Sequence, residues 1–558
     1  MGTNNMRLFV WMSFFAMMWF TYRAWLIDYP PATVVVPVEL AQDDGGSQPP
    51  QLFPDTASNT PPALNQPDPT PVLSLGDALV PGSIIRVRTD VLDITIDLLG
   101  GDIVRADLPR YPVDKDSPDS PVRLLDYESE TRWVFESGFT SIADDDEPNH
   151  LATFVSDRRE YVLGDSDEEL VVTLDWQSLG TLSGQKIYTF RRGQYAVDLD
   201  LVVNNESNMV YGEGWNAAPY VRLFRHHIPV DRSYTSVDSY SFTGPVLYDG
   251  DEYEKLDVED LADAPIDQTL VGGWLASIQH HFLAAAVPPA QDQVRYQAQT
   301  RGSDYLLTAL SPVMEIAPGR SVTYPIQLFV GPKLQDQLAA AGEELELTVD
   351  YGVLTILAQP LFWLLAKVHD FVNNWGWSII IVTLFIKLAF YKLTQTSGRS
   401  MAKMRKLQPR MKALQERFKD DRQALSQAMM ELYKREKVNP AAGCLPILIQ
   451  MPFFFAFYWV LIESVEIRQA PFALWISDLS SRDPFFILPL LMGAAMLLQT
   501  RLNPAPPDPI QAKVMQIMPV AFTALFAFFP AGLVLYWLTN TALSILQQWR
   551  INKLIGAD

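Results

Sequence analysis

The amino-acid sequence predicts a polytopic α-helical membrane protein with a large all-β sandwich domain outside the membrane. Three observations predict this fold class. The last third of the chain contains apolar runs long enough for membrane spans, the middle contains many short segments of alternating hydrophobicity, and one apolar run lies near the first residue. Charge is divided in the same way, because residues 28–350 carry a net charge of −33 and residues 351–558 a net charge of +9.

Residues 1–27 are predicted to form an uncleaved transmembrane signal anchor with its N-terminus in the cytoplasm. The apolar run Leu8–Tyr22 lies between two arginines. Arg23 and Trp25 occupy positions where a signal peptidase site needs small residues, so cleavage is not expected. Residues 28–78 contain 11 prolines among small and polar residues and are predicted to form an extended linker.

Residues 79–332 are predicted to form the β-sandwich. In Asp93–Leu98 apolar and polar residues alternate, which is typical of half-buried strands. Cys444 is the one cysteine, so no intramolecular disulfide is possible and the domain must be held by its core. The pairs His226-His227 and His280-His281 lack metal-ligand spacing and are interpreted as ordinary sheet histidines. No catalytic residue, metal or cofactor is predicted.

Residues 333–376 are predicted to connect the sandwich to the membrane helices. Gly352–Val368 is apolar enough to compete as a span, but it contains Pro360 and ends close to charged residues. If it crossed the membrane, the basic segment after Tyr391 would lie outside, against the positive-inside rule. An amphipathic helix on the outer face of the membrane is therefore expected.

Residues 377–391 are predicted to form a core transmembrane helix that contains Lys387. A lysine at membrane depth costs about 2.5–3.5 kcal/mol on insertion scales. The other long apolar runs contain no Asp or Glu to pair with it, so we expect a water-filled cavity between helices. Thr383 lies one turn earlier on the same helix face. Snorkelling of Lys387 toward the end of its helix explains the same sequence and stays open.

Residues 392–440 are predicted to form a basic cytoplasmic helical hairpin. Residues 392–437 contain 13 Lys and Arg against 5 Asp and Glu. Apolar residues recur in steps of three and four from Met404 to Phe418 and again from Leu425 to Leu432, which predicts a packed seam. The basic faces suit ribosomal RNA or anionic lipids. A solvated face that obeys the positive-inside rule accounts for the same charges.

Residues 441–549 are predicted to form four further core transmembrane helices. The last apolar run, Val514–Trp549, is too long for one span and is divided at Phe529–Gly532. With the anchor this gives six spans, both termini in the cytoplasm, and a short tail at residues 550–558. Sparse polar residues in these spans either bond neighbouring helices or line one wet face with Lys387 and Thr383. They are Gln450, Gln516, Thr523, Asn540, Thr541 and Ser544.

Several motifs resemble those of the YidC/Oxa/Alb family of membrane-protein insertases. They are NWGWSIII at residues 374–381, SMAKMRKLQP at 400–409, KVNPAAGCLPILIQMPFFFAFYWVL at 437–461 and FPAGLVLYW at 529–537. The resemblance covers nearly all of residues 350–550. The anchor, linker and sandwich resemble the Gram-negative form of the family in layout.

The resemblance implies five core helices around a hydrophilic groove in the bacterial inner membrane, with residues 28–376 mainly periplasmic. It places Lys387 at the family's groove cation and adds Tyr536 and Trp537 to the groove residues. Relatives carry Arg at the matching position, so this chain keeps the charge and loses bidentate hydrogen bonding. Lys392 replaces an expected proline, so this helix is expected to continue straighter.

The function that the resemblance implies is to insert, fold and help assemble inner-membrane proteins, alone or with the Sec translocon. The expected partners are nascent membrane proteins, the Sec translocon with its accessory subunits, the ribosome at residues 392–440, and anionic lipids. No GxxxxGK[ST] pattern occurs, so ATP hydrolysis is not expected. The alternative is a solute or ion transporter that uses a cavity at Lys387, but paired intramembrane charges and inverted repeats are not found. An enzyme with its site in the sandwich would need a carboxylate–histidine constellation that the sequence does not offer.

Overall fold

The computed structural model describes residues 83–128, 130–141, 147–207, 214–228, 241–418, 421–436, 438, 445–502 and 509–555. The predicted signal anchor, residues 1–27, and the predicted linker, residues 28–78, lie outside these residues, as does Cys444. The described chain forms a β domain followed by a series of helices.

The β domain contains nineteen strands and one short helix, α1 (Val258–Asp263), within the described ranges. The strands are β1 (Ile84–Arg88), β2 (Asp93–Asp97), β3 (Asp102–Pro112), β4 (Pro121–Leu125), β5 (Trp133–Ser141), β6 (Glu160–Val162), β7 (Glu169–Gln177), β8 (Leu182–Arg191), β9 (Ala196–Asn205), β10 (Trp215–His226), β11 (Gly244–Tyr248), β12 (Tyr253–Lys255), β13 (Ile266–Val271), β14 (Trp274–Ile278), β15 (Phe282–Val287), β16 (Gln293–Arg301), β17 (Asp304–Leu310), β18 (Met314–Ile316) and β19 (Arg320–Pro332).

The strands pair into three sheets. Their orders are β4-β3-β2-β1-β6, then β13-β16-β17-β10-β18 with β5 also paired to β10, and β12-β11-β14-β15-β19-β9-β8-β7. Pairing is antiparallel except between β1 and β6, where Val87 lies opposite Tyr161 in a parallel ladder. The prediction of a domain built from β-sheets is confirmed.

The period-two pattern of the sequence decides which side chains enter the core of the β domain. In β2, Ile94 and Ile96 are buried, while their polar neighbours are partly exposed. β9 follows the same alternation. Trp133 and Trp274 are among the largest fully buried side chains. Burial of apolar surface, which contributes about 25 cal/mol per Å², is therefore the main force that stabilises this domain without disulfides.

A short connection leads from β19 to the helical region. It consists of α2 (Gln335–Ala341) and two 3₁₀ turns, Leu345–Thr348 and Gly352–Leu354. The helices that follow are α3 (Thr355–Val372), α4 (Trp375–Ala389), α5 (Tyr391–Arg417), α6 (Arg422–Arg435), α7 (Leu445–Glu463), α8 (Ile487–Leu502), α9 (Pro509–Phe526) and α10 (Ala531–Ile555).

One continuous helix in the described residues, Gly352–Val372, is by itself long and apolar enough to cross a membrane. The bent pair α4 and α5 passes the same test when the two are taken together. Ile449–Glu463, Ile487–Leu502 and Lys513–Phe526 are apolar but shorter. The count of six spans and the interfacial placement of Gly352–Val368 therefore stay predictions.

The helix that carries Lys387 does not continue straight past Lys392. It ends at Ala389, and α5 leaves at an angle of 71°. The expectation of a straighter helix was wrong, since the chain bends here without a proline and contacts at Phe390 hold the bent form. The Phe390 ring packs edge-on against Phe453 at 5.3 Å, and Thr394 Oγ1 donates a hydrogen bond to Phe390 O at 2.6 Å.

Helices α5 and α6 pack together through the apolar seam that the sequence suggests. Met404, Leu407 and Met411 of α5 form one buried cluster with Met429 and Leu432 of α6. Residues 419 and 420 between the two helices lie outside the described part of the chain. The N-cap of α6 is Asp421, whose carboxylate accepts hydrogen bonds from Gln423 N and Ala424 N.

Candidate substrate groove

Lys387 lies in the last turn of α4 and faces α10. Its Nζ donates a hydrogen bond to Ser544 Oγ at 2.8 Å. Ser544 Oγ donates in turn to Asn540 O at 2.7 Å, one helical turn earlier. The cation therefore points across a helix interface, not along its own helix, which favours a cavity over snorkelling.

A cleft lies beside Lys387 where α4, α5 and α7 meet. It encloses about 340 Å³ of space, part of it open to solvent. Apolar side chains form most of its wall, and Gln450, Thr394 and Lys387 supply the polar groups. Its lining residues are Ile386, Lys387, Phe390, Leu393, Thr394, Ile449, Gln450 and Phe453.

Lys387 has no counter-ion within the described part of the chain. No carboxylate there forms an ion pair with it, and no charged side chain is close enough to act on it electrostatically. An unpaired cation between helices is expensive, and such groups in membrane proteins usually face a watery cavity and serve a function. The cleft thus presents the positive charge of Lys387 to an anionic or polar group that enters it.

Three of the predicted groove residues lie on α10 and are not among the residues that line the cleft. Tyr536 is buried, stacks on Phe457 with ring centroids 4.6 Å apart, and turns its hydroxyl toward Gln450 without the geometry of a full hydrogen bond. Asn540 Oδ1 is buried and has no hydrogen-bond partner among the described residues. Trp537 packs edge-on against Phe454 at 4.8 Å. Tyr536 and Trp537 therefore form an aromatic surface, and the Tyr536 hydroxyl and the Asn540 amide are its polar groups.

Three other predicted residues do not line the cleft. Thr383 is buried on α4, and its hydroxyl donates to Ile379 O at 2.6 Å. Thr523 Oγ1 donates to Pro519 O at 2.7 Å on α9. Gln516 is exposed, also on α9. Hydroxyl groups in helices commonly bond the carbonyl four residues earlier, so a threonine in an apolar run is weak support for a polar groove.

Thr523 packs where α8 and α9 approach most closely. A side chain at Gly493 would overlap with Thr523 Oγ1, so the helices can meet only because residue 493 is glycine. We expect Gly493→Ala to destabilise the chain by about 1–3 kcal/mol through overpacking. Thermal unfolding in detergent measures this. The double variant Gly493→Ala/Thr523→Ala should recover most of the loss, and a double variant no more stable than Gly493→Ala would contradict the contact.

Thr394, which lines the cleft, and Ser544, which accepts the hydrogen bond of Lys387, are residues whose role sequence reasoning missed. Ser544 stood among the sparse polar residues of the spans, but no partner was assigned to Lys387. A signal was present, since Ser544 and Asn540 are four residues apart and share a helix face. Which helix meets Lys387 depends on packing between residues 157 positions apart. No local pattern encodes that distance.

The β domain contacts the loop between α7 and α8, residues 464–486, which we call the outer loop. Arg468 Nη2 donates to Pro112 O at 2.9 Å, and Lys115 Nζ donates to Gln469 O at 3.2 Å. On the helix side, Asn374 Nδ2 donates to Phe472 O at 2.9 Å at the start of α4. The outer loop therefore joins the β domain to the end of α4 opposite Lys387.

A second set of contacts secures the end of α7. The Glu463 carboxylate accepts a hydrogen bond from Ser241 Oγ, and His280 Nε2 lies 3.1 Å from Ile462 O. Lys333, at the end of the sandwich, is buried nearby, and burial lowers the pKa of its amine to about 8. Gln450 lies thirteen residues earlier on α7, which is about 20 Å at 1.5 Å per residue. The cleft and this junction are at opposite ends of one helix.

Glu466 in the outer loop should make stability fall as pH rises. Its Oε2 is buried without a hydrogen-bond partner among the described residues, and burial raises the pKa of the carboxyl from 4.5 to about 7. The folded chain then binds this proton more tightly than the unfolded chain, so stability is lost between these two pH values and stays lost above them. We expect Glu466→Gln to raise the free energy of unfolding by on the order of 2 kcal/mol at pH 8.

Thermal unfolding of the Glu466→Gln variant and the parent chain at pH 4 and pH 8 tests this titration. The variant should unfold at a higher temperature at pH 8, and the two chains should match at pH 4. An equal difference at both pH values would contradict a titrating Glu466, because a purely steric effect of the substitution has no pH dependence.

The fold and the cleft together define a class, a helical membrane protein with a β-sheet domain and an unpaired cation between its helices. Comparison with known families identifies one family within this class. Residues 367–557 match the family model of the 60Kd inner membrane protein, and residues 84–364 match that of the YidC periplasmic domain. The chain belongs to the YidC family of membrane protein insertases.

Two individual relatives agree with this assignment, and one solved structure is similar at low identity. The chain is 46% identical over 563 residues to the membrane protein insertase YidC of Thioalkalivibrio sulfidiphilus (strain HL-EbGR7), covering 99% of this chain and 98% of the relative. It is 46% identical over 536 residues to the YidC insertase of Methylococcus capsulatus, covering 96% and 95%. A solved structure of an active YidC insertase with its first transmembrane domain resolved is 20% identical, with a TM-score of 0.38, covering 83% of this chain and 92% of that one.

The family confirms several predictions made from the sequence. The chain is an inner-membrane protein of the insertase class, which is not an enzyme class, and residues 84–364 are its periplasmic domain. The contacts of the outer loop therefore lie at the junction between the periplasmic domain and the helices.

Proposed function

We propose that this chain inserts nascent membrane proteins by admitting the polar segment of a client into the cleft beside Lys387. The observation that carries the proposal is the geometry of this lysine. It crosses a helix interface to a neutral partner and has no counter-ion in the described chain. Gln450 lines the cleft, Tyr536 and Trp537 pack against α7, and these three residues with Asn540 are proposed as the rest of the groove.

A polar tail that moves through hydrocarbon meets a high free-energy barrier. One charged residue at the bilayer centre costs about 2.5–3.5 kcal/mol on insertion scales. A wet cleft replaces hydrocarbon with water and polar groups along part of that path. A carboxylate about 4 Å from the Lys387 ammonium group gains about 4 kcal/mol at an effective dielectric constant of about 20. That gain is enough to offset the cost of one acidic residue.

The apolar segment of the client needs a route to lipid. Helices α7 and α9 carry exposed apolar side chains, including Phe455, Ile517 and Val520. Burial of the client helix in lipid supplies the driving force, at about 25 cal/mol per Å² of apolar surface removed from water. Neither nucleotide nor cofactor is needed for this step. Thr383 and Thr523 support the groove through packing in this proposal, and Gln516, which is exposed on α9, lies on the client's route to lipid.

The helical hairpin α5–α6, within residues 392–440, is proposed to face the ribosome and anionic lipids. Its apolar residues are turned into the buried seam, which leaves the basic side chains outward. Clustered basic residues bind phosphate groups through counterion release. Six transmembrane helices, both termini in the cytoplasm, and cooperation with the Sec translocon and its accessory subunits complete the proposal.

Site-specific crosslinking tests the groove. A photoreactive residue at Gln450 should crosslink to the polar tail of a stalled single-span client. The control position is Leu490, which is 63% exposed on α8 and does not line the cleft. Crosslinks to the tail that are equally strong from both positions would contradict entry through the cleft. Flux of a small solute in vesicles, without client crosslinking, would favour a transporter.

A further inference from the structure

Within the described chain, Lys387 makes one hydrogen bond, and that bond joins α4 to Ser544 on α10. We propose that Ser544 is a positioning residue that holds the Lys387 ammonium group over the cleft, ready for an acidic segment of the client. This inference rests on the proposed function, because it assigns Ser544 a role in the same groove.

The hydrogen-bond donors and acceptors at this site have one consistent arrangement. A serine hydroxyl has one O–H donor and two lone pairs. The Ser544 proton is directed to Asn540 O at 2.7 Å, so a lone pair is left to accept from Lys387 Nζ at 2.8 Å. The bond to Asn540 thus orients the hydroxyl as an acceptor for the lysine.

This arrangement leaves part of the lysine free for a client. An ammonium group carries three N–H donors and no acceptor. Ser544 takes one of them, and the described chain offers no carboxylate for the others. Since Lys387 also lines the cleft, the remaining donors are available to a carboxylate that enters it.

Lys387 needs such a partner because of its place on α4. The helix ends two residues later, and the chain turns by 71° into α5. A lysine has a flexible four-carbon stem with considerable rotamer freedom. Without an acceptor on α10, this stem can extend past the helix end and carry the charge away from the cleft. The Ser544 hydroxyl selects the inward rotamer before a client arrives, which lowers the ordering cost of binding.

The test uses the purified full-length chain in liposomes and two forms of one single-span client. One form has two Asp residues in its translocated tail, and the other has Asn at the same positions. The initial rate of protease protection is measured for each, and the readout is the ratio of the acidic-client rate to the neutral-client rate. A change in fold or amount of protein affects both clients and leaves this ratio unchanged.

We expect Ser544→Ala to lower the ratio on the order of tenfold, as expected for loss of a hydrogen bond to a charged group. Ser544→Thr keeps the hydroxyl and should restore it. The matched control is Ser378→Ala, because Ser378 Oγ also donates to the carbonyl four residues earlier, at 2.9 Å, without contacting Lys387. This control should leave the ratio at the parent value.

The outcomes separate this inference from the proposed function. If Lys387→Ala lowers the ratio and Ser544→Ala does not, the positioning role is wrong and the groove cation stands. If neither variant changes the ratio, both are wrong. When both lower it, the double variant Lys387→Ala/Ser544→Ala should be no worse than Lys387→Ala, and a further drop would overturn the role of Ser544 in acting through the lysine.

Discussion

Replacing Lys387 with Glu is expected to reduce the insertion rate of a client with an acidic translocated tail on the order of 100-fold. The substitution turns an attraction into a repulsion, and solvent in the open cleft screens most of the about 4 kcal/mol by which unit charges about 4 Å apart interact at an effective dielectric constant of about 20. Lys387→Arg keeps the charge and should be tolerated. Protease protection of the client in liposomes measures each rate.

The matched control for Lys387→Glu is Lys392→Glu. Lys392 is exposed and lies five residues later, beyond the bend at Phe390 and outside the cleft. The two variants have the same composition and net charge, so they separate a local effect at the cleft from a general effect of charge. Similar activity of Lys387→Glu, Lys387→Ala and the parent chain would contradict a role for the cation.

Replacing Lys186 with Met is expected to destabilise the periplasmic domain by about 3–5 kcal/mol, because it leaves a buried carboxylate unpaired. Lys186 Nζ donates to Asp102 Oδ1 at 2.6 Å, and both side chains are almost fully buried between β8 and β3. The same Asp102 oxygen accepts from Ser137 N at 3.0 Å. Tryptophan fluorescence during denaturant unfolding reports this loss.

Two further variants test whether the loss comes from the buried charge. Lys186→Met/Asp102→Asn removes both charges and should be clearly more stable than Lys186→Met. Arg295→Met breaks an ion pair with Asp267 in which both side chains are more than 40% exposed, and it should cost less than about 1 kcal/mol. If Lys186→Met and Arg295→Met lower the free energy of unfolding equally, burial does not make the Lys186–Asp102 pair more costly to break.

Much of the fold could be predicted because it follows local periodicity. The alternation in β2 indicated which residues are buried, and the steps of three and four in residues 404–432 indicated the seam of the hairpin. These patterns depend on residues a few positions apart. The contact of Arg468 with Pro112 joins positions 356 residues apart, and no pattern in either segment indicates it. The junction of the periplasmic domain and the helices was therefore missed.

The groove was predicted in part for the same reason. Lys387 stands out because a charge in an apolar run is costly, so its sequence neighbourhood is enough to single it out. Thr523 and Gln516 were polar residues in similar runs, but α9 places them away from the cleft. The bend at Phe390 is present although Lys392 stands where a proline was expected, and Phe390 packs there against Phe453, 63 residues later. Polar composition selects candidates, and helix packing decides which of them meet.

Insertion by this chain is tested by protease protection of a small single-span client added to liposomes that contain this purified protein alone. We expect more protected client than in empty liposomes, without added nucleotide, and a large loss of that protection with Lys387→Glu. Protection equal to that of empty liposomes, both for the protein alone and after addition of the Sec translocon, would contradict the claim that this chain inserts membrane proteins through the cleft at Lys387.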